Sequence, residues 1–248
     1  MASTLQTNTI EPQSGTDLTV GTSGTNTVLA GNVIKSNVLK DAGGNAILTS
    51  DGSGNLSGVN SAFGASTVLL STQTVTSSTT TVTFSSSLIT SDYNHYIFKF
   101  YNVQTAGNAG GADFAFNVST DNGSTYAVTK TSTVFRSWHS NADTTGLAYN
   151  TGKDLWNSTD NQKVMIAMET AANVASAAGD GELHLFSVSN TSVWKQFYAT
   201  SQQRQNGDYS EVMYTGGSCE TASAINCVKF EMDGSTIDKA IIKCYGVK

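Results

Sequence analysis

A chain of 248 residues is long enough for one large domain or two smaller ones. Only 13% of it is Asp, Glu, Lys or Arg and its formal net charge is −6, which argues against nucleic acid or an anionic membrane surface held by bulk electrostatics. No apolar run approaches the roughly 18 residues that a membrane span needs, so membrane insertion is not expected.

Proline occurs once, at Pro12, glycine is plentiful, and the helix formers Ala, Leu, Glu and Lys concentrate nowhere. Thr and Val, which suit a pleated surface, are spread along the whole chain. An all-β protein is expected. The start, MASTLQTNT, has neither a basic region nor an apolar stretch of the secretory kind, so no signal peptide is expected. Cys219, Cys227 and Cys244 are odd in number and fit no zinc spacing. They read as reduced, partly buried thiols of a protein made in a cytoplasm.

Residues 1–62 contain no aromatic side chain; the first is Phe63. Their apolar residues come in ones and twos (Leu18 and Val20, Val28 and Leu29, Val33 and Ile34, Val38 and Leu39) between Gly, Asn, Ser and Thr. Asp41-Ala-Gly-Gly-Asn45 then returns as Asp51-Gly-Ser-Gly-Asn55, each followed by a small apolar patch, Ile47 with Leu48 and Leu56 with Val59. Such a segment buries too little to offset roughly 1–2 kcal/mol of backbone entropy per residue on its own. The regular alternation of strand-like pairs and turn signals argues against a disordered linker. A calcium loop at Asp51 would need Glu at its twelfth position, where Ala62 stands. The remaining solution is an extended stem in which three copies share one thin core, built from Leu18, Val20, Val28, Val33, Ile34, Val38, Leu39, Ile47, Leu48 and Leu56. A flexible linker is the alternative.

From residue 67 the texture changes to about ten strand-like runs, among them "TTTVTFSS", "HYIFKFYNVQ", "DFAFNVST", "KVMIAMET", "GELHLFSVS" and "AINCVKFEM". In the second, Tyr96, Phe98 and Phe100 face one way and Ile97, Lys99 and Tyr101 the other. In the last, Val228, Phe230 and Met232 form the inward set. Asp121-Asn-Gly-Ser124 between two runs predicts a hairpin. The expected layout is a stem over 1–66 followed by a β-sandwich or jelly-roll-like head over 67–248.

The segments "TLQTNTIEPQSGTDLTVGTSG" and "GNVIKSNVLKDAGGNAILTSDGSGNLSGVNSAFG" resemble the N-terminal stems of fibre proteins of tailed bacteriophages, especially those of marine bacteria. "YIFKFYNV", "GELHLF" and "IIKCYGV" resemble their C-terminal β-domain. The resemblance implies a homotrimer on the virion surface, its N-terminus docked to capsid or tail protein. It leaves open whether the chain is a tail fibre, a head fibre or a decoration protein.

No catalytic motif, phosphate loop or metal spacing is present, so neither an enzyme nor a cofactor or metal is expected. His95 and His184 lie in strand-like runs and read as packing or surface residues. Asp154, Asp180 and Glu182 would be the carboxylates to pair in a depolymerase, only because carboxylates are scarce. The most suggestive stretch is "RSWHSNADTTGLAYNTGKDLWNSTDN", residues 136–161, which reads as one long binding loop. Its Trp138, Tyr149 and Trp156 could stack on sugar rings while Asn141 and Asp143 bond hydroxyls, which suits a host surface glycan. The competing reading makes both tryptophans plugs of the sandwich or of a trimer interface. Residues 201–211 fit either a hairpin tip or a surface contact. Two functions therefore stand side by side: host adhesion by the head, or a purely architectural role in capsid or tail.

Overall fold

A computed structural model of the chain describes residues 38–41, 43–53, 55–59, 66–107, 111–170 and 177–248. The chain divides into two compact units, Met1–Gly64 and Ala65–Lys248. No helix occurs among the described residues, which are organised by strands and turns.

In the first unit β1 (Val38–Lys40), β2 (Ala46–Ser50) and β3 (Leu56–Val59) form an antiparallel meander. The ten-residue repeat is one strand plus one turn. Asp41 Oδ1 accepts the amides of Gly43 and Asn45 at 2.9 and 2.8 Å, and Asn45 Nδ2 returns to Asp41 Oδ2 at 3.1 Å. Asp51 repeats the pattern with Ser53 and Asn55 at 2.7 and 3.1 Å, and Asn55 Nδ2 reaches its Oδ2 at 2.8 Å. Gly44 and Gly52 supply the positive φ that each turn requires. Of the expected stem core, Leu18, Val20, Val28, Val33 and Ile34 lie outside the described residues. Val38, Leu39 and Leu56 are exposed within the chain, and Ile47 and Leu48 are half-buried.

The second unit is a β-sandwich. Its strands are β4 (Thr67–Val75), β5 (Thr81–Phe84), β6 (His95–Thr105), β7 (Ala112–Ser119), β8 (Lys130–Ser140), β9 (Thr145–Tyr149), β10 (Gln162–Met168), β11 (Gly179–Phe186), β12 (Lys195–Gln205), β13 (Tyr209–Cys219), β14 (Cys227–Asp233) and β15 (Ile237–Val247). One sheet runs β4-β15-β6-β11-β12-β13-β8-β9 and the other β5-β14-β7-β10, with all ladders antiparallel. The two are parts of one continuous sheet that folds over between β12 and β10, where Met168 pairs with Gln205, and the bridges of Thr105 with Thr170 and of Thr79 with Ile237 join them further. The head has twelve strands, where the sequence predicts about ten.

Period-two alternation places Phe98 and Phe100 of β6 inward, against Phe114 of β7 and Phe230 of β14. These rings meet mainly edge to face, as in the 5.2 Å contacts of Phe100 with Phe114 and with Phe230, and all are essentially water-free. Tyr96 is also buried, its hydroxyl accepting the Thr90 amide at 2.8 Å and donating to the Thr90 carbonyl at 2.9 Å. Cys219, Cys227 and Cys244 are buried free thiols, and burial pushes Cys219 and Cys244 up to about 12.

Two expectations change. The turn at Asp121 forms, with Thr125 donating its amide and hydroxyl to the carboxylate, but it does not make a hairpin. β7 pairs with β10 and β14, whereas β8 pairs with β13 and β9, so the chain crosses from one sheet to the other after the turn and packs Val128 on the core as it goes. Residues 136–161 are likewise not one loop. They comprise the end of β8, a turn at 140–144, all of β9 and a shorter loop over 150–161. Ser140 closes that turn through its side chain, accepting the amides of Ala142 and Thr144 at 3.2 and 3.1 Å.

Candidate functional site

Two hairpins end side by side. The β8–β9 turn and the β12–β13 turn are joined by the Asn141 amide donating to the Asp208 carbonyl at 3.0 Å, and Ser140 pairs with Tyr209 where β8 meets β13. Strand alternation sends Arg136 and Trp138 of β8 to the same side as buried Val134. That side carries a cleft of about 230 Å³ lined by Arg136, Trp138, Gln205, Asn206 and Tyr209.

Each wall has a physical support. Trp138 lies flat across Gly146 of β9; a Cβ there would come within 2.1 Å of the indole, so only glycine admits the ring. The Arg136 guanidinium sits 4.8 Å from the Trp138 ring centroid and donates through Nη1 to Glu211 Oε2 at 2.6 Å. Glu211 is fully buried on β13 and also accepts Gln203 Nε2 at 3.0 Å. Burial pushes its carboxyl above the ordinary value, with Arg136 pulling the other way. Tyr209 packs over Gly207, whose positive φ makes the turn. Rings, two amides and a guanidinium held by a buried carboxylate are the ingredients that orient a polar ligand with an apolar face.

Among the residues expected to touch glycan, Trp138 is in this cleft, and Asn141 and Asp143 are exposed on the adjoining tip, where Asp143 accepts His139 Nε2 at 3.0 Å. Tyr149 is not with them. It pairs with Phe135 on the opposite face of the ribbon and donates its hydroxyl to Asp154 at 2.7 Å. Trp156 stands in the 150–161 loop, 88% exposed, so it plugs nothing within the chain. The 201–211 segment is a hairpin tip and supplies three cleft residues. Arg136 and Glu211 were not singled out in the sequence, because their pairing across 75 residues leaves no local trace.

A second cavity, about 370 Å³, lies under the 150–161 loop between Lys153, Asp154, Asp160, Asn161, Lys163 and Asp233. Its lysines are already engaged, Lys153 with Asp113 at 2.6 Å and Lys163 with Asp233. The three scarce carboxylates are engaged too. Asp180 accepts the Asn102 amide, Glu182 contacts Lys99 and His184, and Asp154 holds Tyr149 and the Gly152 amide. Asp180 and Glu182 sit on β11 and Asp154 on the 150–161 loop. Among the described residues no three His, Cys, Asp or Glu side chains are grouped as metal ligands, and no helix is long and apolar enough to cross a membrane.

Comparisons with protein-family models, with curated proteins and with solved structures find no match for the chain.

Proposed function

We propose that the chain is a virion fibre protein of a tailed bacteriophage: residues 1–66 dock to capsid or tail protein and hold three copies together, and the β-sandwich contacts saccharide on the host surface. The stem part is supported by the aromatic-free, turn-rich N-terminal segment and its resemblance to phage fibre stems. The contact part is carried by one observation, the convergence of two hairpin tips on a cleft of Trp138, Tyr209, Arg136, Asn206 and Gln205.

The Tyr209 ring and the edge of the Trp138 indole, held between Gly146 and Arg136, border the apolar side of a sugar, while the amides of Gln205 and Asn206 and the outer nitrogens of Arg136 reach its hydroxyls. A shallow cleft of this size gives weak single-site binding, and three-fold presentation multiplies it.

The test is binding of the purified full-length chain to host cells and to their extracted polysaccharide, with Tyr209→Ala and Asn206→Ala alongside. The expected result is binding by the wild type and a drop of tenfold or more in both variants at unchanged melting temperature. Wild-type protein that ignores cells and polysaccharide but binds capsid or tail protein overturns adhesion in favour of a purely architectural decoration or assembly role.

A further inference from the structure

Antiparallel sheets that face water usually alternate apolar-in with polar-out. The eight-stranded sheet breaks that rule on its outer face. Tyr149, Phe135 and Tyr214 lie in one cross-strand line over β9, β8 and β13; Tyr198, His184 and Ile97 form another over β12, β11 and β6. The rings are already stacked on one another: Phe135 on Tyr214 at 4.9 Å and 14°, and His184 on Tyr198 at 4.4 Å and 12°. Phe135 remains 44% exposed, Tyr149 53% and the neighbouring Leu147 74%. The four-stranded sheet packs on the other side, and no third layer covers this face among the described residues.

We infer that the outer face of the eight-stranded sheet is an interface between copies of this chain. Size supports a second copy. Eight strands about 4.8 Å apart and two to three outward rows give a footprint on the order of 600 Å², close to the roughly 800 Å² that each partner contributes to a stable interface. Charge supports it as well. The chain carries a net −6, yet this face sets Lys99, Lys239 and Lys243 against Asp180 and Glu182. Two acidic chains can therefore meet here with little like-charge repulsion. Stacked, restrained rings also lose little side-chain freedom on association. The inference gives a location to the oligomer of the proposed reading and is independent of the saccharide cleft, which opens on the inner side of the sheet.

Thr200 lies on the outer face between Glu182 and Tyr214. Because Cys219, Cys227 and Cys244 are buried, Thr200→Cys gives the full-length chain one accessible described thiol. A short bismaleimide is expected to join copies through that thiol. Adding Phe135→Glu with Tyr214→Glu should cut the joined fraction at least tenfold, and Tyr198→Arg serves in its place should that pair lower the melting temperature. Sedimentation and host-cell binding are measured on the same samples. A wild type that sediments as a monomer at every concentration overturns the inference. So does an oligomer whose Thr200→Cys form gives no cross-link, since its contacts then lie elsewhere. Cell binding that is lost while cross-linking persists refutes the adhesion reading alone.

Discussion

Replacing Lys130 by methionine tests how the sandwich closes one end of its large sheet. Lys130 is fully buried on β8, donating to Asn117 Oδ1 at 2.8 Å and to the Val128 carbonyl at 2.7 Å, with no carboxylate bonded to it among the described residues. Burial pulls its pKa from 10.5 down to about 8. At about 1.4 kcal/mol per pH unit, keeping this ammonium buried costs the fold about 3 kcal/mol wherever both folded and unfolded chains are protonated. Between pH 8 and 10.5 the folded chain releases the proton while the unfolded chain keeps it. The unfolded state then binds more protons, and stability from this group rises with pH. Urea unfolding of the wild type and Lys130→Met at pH 7.5, 8.5 and 9.5 isolates it, since other titrating groups cancel in the difference. The folded-state thiols of Cys219 and Cys244, pushed to about 12, are silent in this window. The wild type should gain about 2 kcal/mol on the variant between pH 7.5 and 9.5. A difference that stays flat with pH would refute the argument, because the lysine would then keep its charge at no cost.

Other substitutions probe the remaining elements. Trp156→Ala should shift stability by less than about 0.5 kcal/mol, as for other exposed positions, and a melting temperature lowered by several degrees would show that the ring is packed. Gly146→Ala drives a methyl into the Trp138 indole; about 1–3 kcal/mol of destabilisation, altered tryptophan fluorescence and loss of saccharide binding are expected, and unchanged fluorescence would contradict the packing. Hydrogen bonds from the Asn55 side chain and the Ser53 and Asn55 amides hold the Asp51 carboxyl below its usual 3.8. Its support for the turn is thus present above that value and lost as pH falls through the lower folded one. An NMR titration giving 3.8 or higher for Asp51 would show the turn open in solution.

The sandwich was legible where both faces of a strand leave a mark. In "HYIFKFYN" the inward aromatic set is fixed by alternation, and Tyr96, Phe98 and Phe100 are indeed buried. The outward set was equally visible, but its meaning was not, because alternation does not tell whether the second face meets water or protein. β9 was missed for the opposite reason. It is a five-residue edge strand containing Gly146, which reads as a turn signal until Trp138 is seen lying over it. Turn chemistry at Asp121 marks the turn that forms, but the hairpin expected from it does not, because turn residues carry no information on which strands pair. At the candidate site, Trp138 and the 201–211 tip were both noticed, yet only the β8–β13 ladder brings them together, and buried Glu211 looked like any polar residue of a tip.

The Asp-x-x-x-Asn unit sets a rule for how the first unit can change length. Each unit is one strand and one reversal, so inserting a single copy widens the sheet by about 4.8 Å and sends the chain out in the opposite direction. Inserting two restores the direction. Length variation in this segment is therefore cheap in steps of two units, whereas a single added unit forces everything downstream to leave from the other end of the sheet.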